Sequence, residues 1–298
     1  MKDKEYKDAF TEGYDDIPKK KPKRKRGILF YLIFLVLLSG ALFCFYKVYD
    51  YYHGKMVYEK QLDELIEEVG DISERNPEIR AREDAYTEVE GYTEPVYTEW
   101  MRKYDELHNE NADCYGWIKI PDTNIDYPVM YTPNDPQKYI HKGFDTKYQY
   151  RGLPFLSAET VIGHDNNMYR QSSNYIIYAH NMLDGTGFRD LLYYLKEDYG
   201  KEHRYAYFNI EYEEGIYELM AVVKARVYHS ETKEFEYYNY SGILDIKQYE
   251  EYVETVKERS VYDTGVTASW GDKLLTLSTC HRRTGKDDRL IVIFKKVG

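Results

Sequence analysis

Hydrophobic and polar positions divide this chain of 298 residues into three regimes. Residues 27–46 (GILFYLIFLVLLSGALFCFY) are twenty positions without a charge, the length that crosses a hydrocarbon core of about 30 Å as a helix. The run has no polar face, so a buried helix of a soluble domain is a poor alternative. Residues 47–70 turn helical towards their end, where Leu62, Leu65 and Ile66 have i, i+3, i+4 spacing. Residues 71–94 are rich in Glu and poor in aliphatics, and they read as a stalk or linker. From Pro95 the pattern changes. One amphipathic helix is predicted through Val96, Trp100, Tyr104 and Leu107. Short β-type runs follow, broken by turn residues: YGWIKI, IDYPVM, NYIIYAH, YAYFNI, IYELMAVVKARVY, KLLTLSTC and RLIVIFKKV. Such spacing predicts a mainly β domain, closed or nearly closed as a barrel. In DIKQYEEYVETVKERS, Ile246, Tyr249, Val253 and Val256 recur at helical spacing behind Asp245 as N-cap, which predicts one helix before the KLLTLSTC strand.

Charge sets the orientation of this layout. Residues 19–26 (KKKPKRKR) form a basic block directly before the apolar run, and the flank after it is mixed to acidic. The positive-inside rule puts the N-terminus in the cytoplasm and everything after residue 47 outside. Tyr46, Tyr49, Tyr51 and Tyr52 lie where an interfacial aromatic belt belongs. The run is long for the apolar part of a cleaved signal peptide, and no small-x-small cleavage site follows, so an uncleaved signal anchor is predicted. The expected organisation is a basic cytoplasmic tail (1–26), a transmembrane anchor (27–46), a helical and acidic stalk (47–94) and an extracellular domain (95–298). The net charge of −11 argues against nucleic acid as a partner. The excess of 35 Tyr over 11 Phe favours half-buried strand faces.

The three cysteines are Cys44, Cys114 and Cys280. A sparse, odd set without CxxC builds neither a disulfide framework nor a zinc knuckle, although a Cys114–Cys280 bridge stays open by count alone. Cys44 lies in the apolar run and suits packing. Cys280 ends a period-two strand in which Leu274, Thr276, Ser278 and Cys280 share one face. The polar segment HRRTGKDD is a good turn into the returning strand RLIVIFKKV, so Cys280 and Arg289 should face each other at the same rim. A guanidinium there favours thiolate and can donate to an oxyanion. For proton transfer the candidates are His180, which ends the run SNYIIYAH with Tyr178 on its face, and His281, which adjoins Cys280 and reaches it only if the chain turns there. No GxGxxG, Walker A or HExxH pattern is present. No metal site is evident, and no cofactor is expected.

These residues carry a resemblance. TLSTC followed nine residues after the cysteine by Arg289 in RLIVIFKK resembles the signature of sortases, IYAHNMLDGTGFRDL resembles their histidine segment, and NADCYGWIKIPDTNIDYPVMY resembles the start of their domain. The helix before residue 111 and the helix at 245–258 resemble class B members. The resemblance covers about residues 95–298 and implies a closed sortase-type β-barrel with an N-terminal helix and one helix inserted before the cysteine strand. It implies a cysteine transpeptidase with Cys280 as nucleophile, His180 as general acid and base, and Arg289 as the oxyanion-stabilising or substrate-positioning cation. It also implies a substrate groove lined by Tyr178 and Ser278, and Thr279 and Asn181, beside the cysteine and the histidine, are further substrate-binding candidates. The expected substrates are secreted proteins with a C-terminal sorting pentapeptide, cut after its Thr. The expected acceptor is an amine of peptidoglycan or its lipid-linked precursor. Departures are Ala179 where the family usually has Gly, Ser157 where Asp is common, and His281 after the cysteine.

Three rival readings remain. An L,D-transpeptidase usually carries its cysteine in an SxGC-like segment, unlike TLSTC. A pilin-polymerising sortase typically has a lid with an Asp-Pro-aromatic motif and a second membrane helix, where this chain closes on RLIVIFKKVG. A non-catalytic anchored barrel that binds wall or protein would leave Cys280 unreactive.

Overall fold

A computed structural model of the protein describes residues 27–73, 98–165, 168–211, 213–226, 235–280 and 288–298. The basic tail 1–26, the acidic part of the stalk from 74, and Val96 lie outside the described residues. The chain divides into a unit up to His53 and a unit from Gly54 to Gly298.

Helix α1 (Ile28–Val69) joins the apolar run to the expected stalk helix in one element. Its part up to His53 holds the apolar stretch, which by length and composition can cross a membrane. Within the second unit its last turns bury Tyr58, Leu65 and Val69 in the domain's main core, with Leu62 and Ile66 packed against it. The stripe read at Leu62, Leu65 and Ile66 is therefore a docking face. Helix α2 (Glu99–Glu110) starts at Thr98, whose Oγ1 accepts from Met101 N at 3.2 Å, and buries Trp100, Tyr104 and Leu107.

The strands are β1 (Cys114–Lys119), β2 (Asp126–Met130), β3 (Phe155–Leu156), β4 (Ile162–Asp165), β5 (Met168–Gln171), β6 (Asn174–Tyr178), β7 (Tyr205–Ile210), β8 (Glu213–Arg226), β9 (Leu274–Cys280) and β10 (Asp288–Lys296). Eight of them close a barrel in the order β1-β2-β3-β6-β9-β10-β8-β7, with β7 pairing back onto β1. The pairs β2–β3 and β6–β9 are parallel and the others antiparallel. Strands β4 and β5 form a separate hairpin. Between β6 and β7 lie a 3-10 segment (Arg189–Leu195) and helix α3 (Glu197–Glu202). Between β8 and β9 lie a 3-10 turn (Tyr237–Tyr240) and helix α4 (Ile246–Glu258).

Period two sorts the central strands between two cores. Tyr175, Ile177, Leu275, Leu277, Leu290, Val292 and Phe294 join the barrel interior. Ile176, Leu274, Ile291 and Ile293 point outward, where helix α4 covers them with Tyr249, Tyr252, Val253 and Val256. Helix α4 begins at Asp245, as its sequence indicates. The Asp245 carboxylate accepts from Gln248 N at 2.8 Å, and Gln248 Oε1 accepts from Asp245 N at 3.1 Å, a capping box. Ile246 differs from expectation: it is 52% exposed. At the first helical position it lies before the buried stripe, and Tyr252 takes a place in that stripe instead. A buried polar chain fixes α4 to the cysteine strand. Tyr252 Oη and Thr276 Oγ1 are 2.7 Å apart, and Thr276 Oγ1 donates to Asn174 Oδ1 at 2.9 Å.

Candidate active site

Strand register brings the candidate residues to one rim. Cys280 is the last residue of β9, and its Cα partner on β10 is Arg289. On the other side β6 runs parallel to β9, with Tyr178 paired to Ser278 and Ala179 N donating to the Ser278 carbonyl at 3.2 Å. Two residues further along, His180 reaches the level of Cys280. All three cysteines are free thiols, which overturns the Cys114–Cys280 bridge. Cys114 is fully buried at the start of β1, and burial pushes its thiol up to about 12. It is therefore protonated and inert near neutral pH.

The backbone beyond His180 is held tightly. Gly187 has φ +67°, and a Cβ there would lie 2.3 Å from the His180 carbonyl, so only glycine closes this turn. Phe188 N donates to the same carbonyl at 2.7 Å, and Gly187 N donates to Tyr127 Oη at 3.0 Å. Arg151, 3% exposed, donates through Nε and Nη2 to Asp184 Oδ2 at 2.9 and 2.5 Å. The His180 ring bonds through Nε2 to the Ile140 carbonyl at 2.9 Å. A carbonyl only accepts, so Nε2 carries hydrogen and Nδ1 is the nitrogen that can exchange a proton. His281 lies outside the described residues.

A groove of about 440 Å³ opens beside this rim, within the size range of ligand sites. Cys280, His180, Arg289, Tyr178, Ser278 and Thr279 all line it, and Asn181 does not. Asn181 is buried instead and holds the rim together. Its Nδ2 donates to the Cys280 carbonyl at 2.8 Å, and its Oδ1 accepts from Arg189 Nη1 at 3.1 Å. Thr279 is 2% exposed and donates through Oγ1 to the Ala179 carbonyl at 2.9 Å, so its hydroxyl joins β9 to the histidine segment. Ser278 bonds to Tyr237 Oη at 2.7 Å.

Sequence reasoning missed several wall residues. Pro136, Gln137 and Ile140 come from the loop after β2, Phe155 to Glu159 from β3 and its exit, and Tyr237 to Asn239 from the 3-10 turn. The aromatic cluster EFEYYNY was the only signal for the last of these, and it has no strand or helix period. Burial pushes the Tyr237 hydroxyl up, while the Ser278 bond and the Arg289 charge pull it back. Burial, together with Tyr237 and Glu159, raises the Tyr178 hydroxyl far above the ordinary range, so it is a neutral hydrogen-bonding group. Glu159 sits at the groove edge, where Ser157 donates to its carboxylate.

A closed barrel that gathers a thiol, an imidazole and a guanidinium around one end of a groove has the parts of a thiol acyl-transfer enzyme. The sortase domain description matches residues 118–297. The chain thus belongs to the sortase family of cysteine transpeptidases. It is 29% identical over 263 residues to sortase B of Listeria monocytogenes, covering 88% of this chain and 94% of that protein. A solved structure of Listeria monocytogenes sortase B matches with TM-score 0.52 and 29% identity, over 64% of this chain and 98% of that one. A Staphylococcus aureus sortase B–substrate complex matches with TM-score 0.58 and 20% identity, over 82% of this chain and 96% of that one. These relatives are of class B, and family membership removes the L,D-transpeptidase as a reading.

Proposed function

We propose that this protein is a membrane-anchored class B sortase that cuts a C-terminal sorting pentapeptide after its Thr and transfers the released protein to a peptidoglycan amine. The observation that carries the proposal is the register of three strands, in which β10 pairs Arg289 with Cys280 and β6 brings His180 level with it.

The chemistry follows from the groups at the rim. The Cys280 thiolate attacks the Thr carbonyl, and Arg289 donates to the developing oxyanion. The carbon–nitrogen bond breaks as His180 passes a proton from Nδ1 to the departing amine, leaving a thioester on Cys280 and a neutral imidazole. An acceptor amine then attacks the thioester and gives its proton back to His180. The new amide forms and the thiolate leaves. Water in place of the amine gives slow hydrolysis. Tyr178 and Ser278 line the groove along which the pentapeptide lies. Asn181 acts on the substrate only through the backbone it holds, and Thr279 both lines the groove and ties β9 to the histidine segment.

The apolar stretch of α1 supports the anchor, and the basic block before it supports a cytoplasmic N-terminus with the barrel outside the cell. Translocating substrates and wall acceptors meet the enzyme on that side. The test is turnover of a fluorescence-quenched sorting peptide. Cys280→Ala should abolish cleavage while the thermal midpoint stays close to wild type. Cleavage by that variant at the wild-type rate would end the proposal.

A further inference from the structure

His180 is mounted on a segment whose rigidity and chemistry go beyond one hydrogen bond. The 3-10 turn Lys138–His141 supplies the Ile140 carbonyl that accepts from His180 Nε2. The next residue, His141, lays its ring against His180, with centroids 5.3 Å apart and planes 23° apart. Its ring also stacks with Tyr150 at 5.9 Å and 8°. His141 Nδ1 bonds to the Tyr150 carbonyl at 3.0 Å and therefore carries hydrogen there.

The turn itself is held from several sides. Tyr139 is fully buried, accepts from Asn111 Nδ2 at 2.9 Å and donates to Asp113 at 2.8 Å. Gln149 N donates to the His141 carbonyl at 3.0 Å. Gly152, at φ +61°, packs so closely that a Cβ would lie 2.4 Å from the Ile140 oxygen. The turn thus has little freedom to follow His180 if that ring moves.

The bond from Nε2 to the Ile140 carbonyl fixes one point of the His180 imidazole, and the orientation of the ring plane is a separate degree of freedom. A flat neighbour stacked on the ring face restrains that plane. We propose that His141 is a positioning residue for the transpeptidation, its stacked ring holding the His180 imidazole in the plane that aims Nδ1 at the reacting thiol and amine. The proposal rests on the assignment of His180 as acid and base, and it concerns a residue that does not touch the substrate. Lost orientation slows the chemical step and spares binding.

The experiment compares His141→Ala, His141→Leu and His141→Phe in the full-length protein, with sorting-peptide kinetics and thermal midpoints. His141→Ala should lower kcat about tenfold and leave KM within about twofold. His141→Leu, which keeps bulk without a plane, should be as slow. His141→Phe keeps the flat ring and should restore kcat to within about threefold of wild type. Unchanged kcat in His141→Ala overturns the proposal, and so does a Phe variant as slow as Ala or a Leu variant as fast as Phe. If His141→Ala unfolds, the Leu and Phe comparison decides alone. Cys280→Ala and His180→Ala measured alongside separate the two levels. Turnover surviving in those variants means that the catalytic assignment itself has failed.

Discussion

Arg289→Ala isolates one charged group opposite the thiol. Arg289 is the Cα partner of Cys280 across the β9–β10 ladder, so the two side chains leave neighbouring backbone about 5 Å apart on the same face. One guanidinium nitrogen, Nη1, donates to the Asp288 carbonyl at 3.1 Å. That contact steers the fork along the rim, and a guanidinium carries five N–H donors in all. Removing an oxyanion donor typically costs about 10²–10³ in kcat, or about 2.7–4 kcal/mol. Arg289 is half-buried at a strand end, so the cost to folding should stay near about 0.5 kcal/mol. Activity should therefore fall far more than stability. Arg289→Lys keeps a charge without the planar fork and should recover about tenfold of the loss. The assay is steady-state cleavage of a quenched sorting peptide, with urea unfolding of the same preparations. An Ala variant within about threefold of wild-type kcat, at unchanged stability, would refute the role of the guanidinium.

Two further outcomes concern the scaffold. Thr276→Val keeps shape but removes the two buried bonds that Thr276 Oγ1 makes, to Tyr252 Oη and to Asn174 Oδ1. Urea unfolding should show a loss of about 1–3 kcal/mol, and a loss below about 0.5 kcal/mol would contradict that bookkeeping. Alkaline pH should also weaken the fold. Burial pushes the Cys114 thiol up to about 12 and raises the Tyr127 and Tyr252 hydroxyls above their ordinary value. Unfolded thiol and phenol lose their protons near about 8.5 and 10. The folded state keeps protons that the unfolded state releases, so this stability is complete below about pH 8.5 and shrinks as pH rises. The thiol alone contributes a loss on the order of 2 kcal/mol between about pH 8 and 10. Equal unfolding free energies at those two pH values would contradict it.

What the sequence revealed divides along local and non-local order. The β9–β10 pairing was legible because a short polar segment joins two strands of clear pattern, and their register follows from proximity along the chain. Helix α4 was legible from its period and from Asp245. The parallel β6–β9 pairing joins residues about a hundred positions apart, and no local pattern encodes it. The place of His180 beside Cys280 therefore rested on resemblance. Strand β3 has two residues, too few for any period, yet it brings Phe155 to the groove wall. Position beside the key residues points to the groove for both Asn181 and Thr279, and Thr279 does line it whereas Asn181 is buried behind it. The structure gives both of them backbone partners, a distinction that depends on which way a side chain turns at a strand end. The segment 54–69 read as stalk, but it docks on the core because Tyr58 and Val69 extend the stripe around Leu65.

The central claim is that Cys280 carries the acyl group. The most direct measurement is intact mass of the enzyme quenched in acid during turnover of a sorting peptide, followed by peptide mapping. The expected result is an adduct equal in mass to the acyl half of the peptide, located on Cys280 and released by hydroxylamine. Continued cleavage with no such adduct, or with the acyl group on another residue, would contradict it.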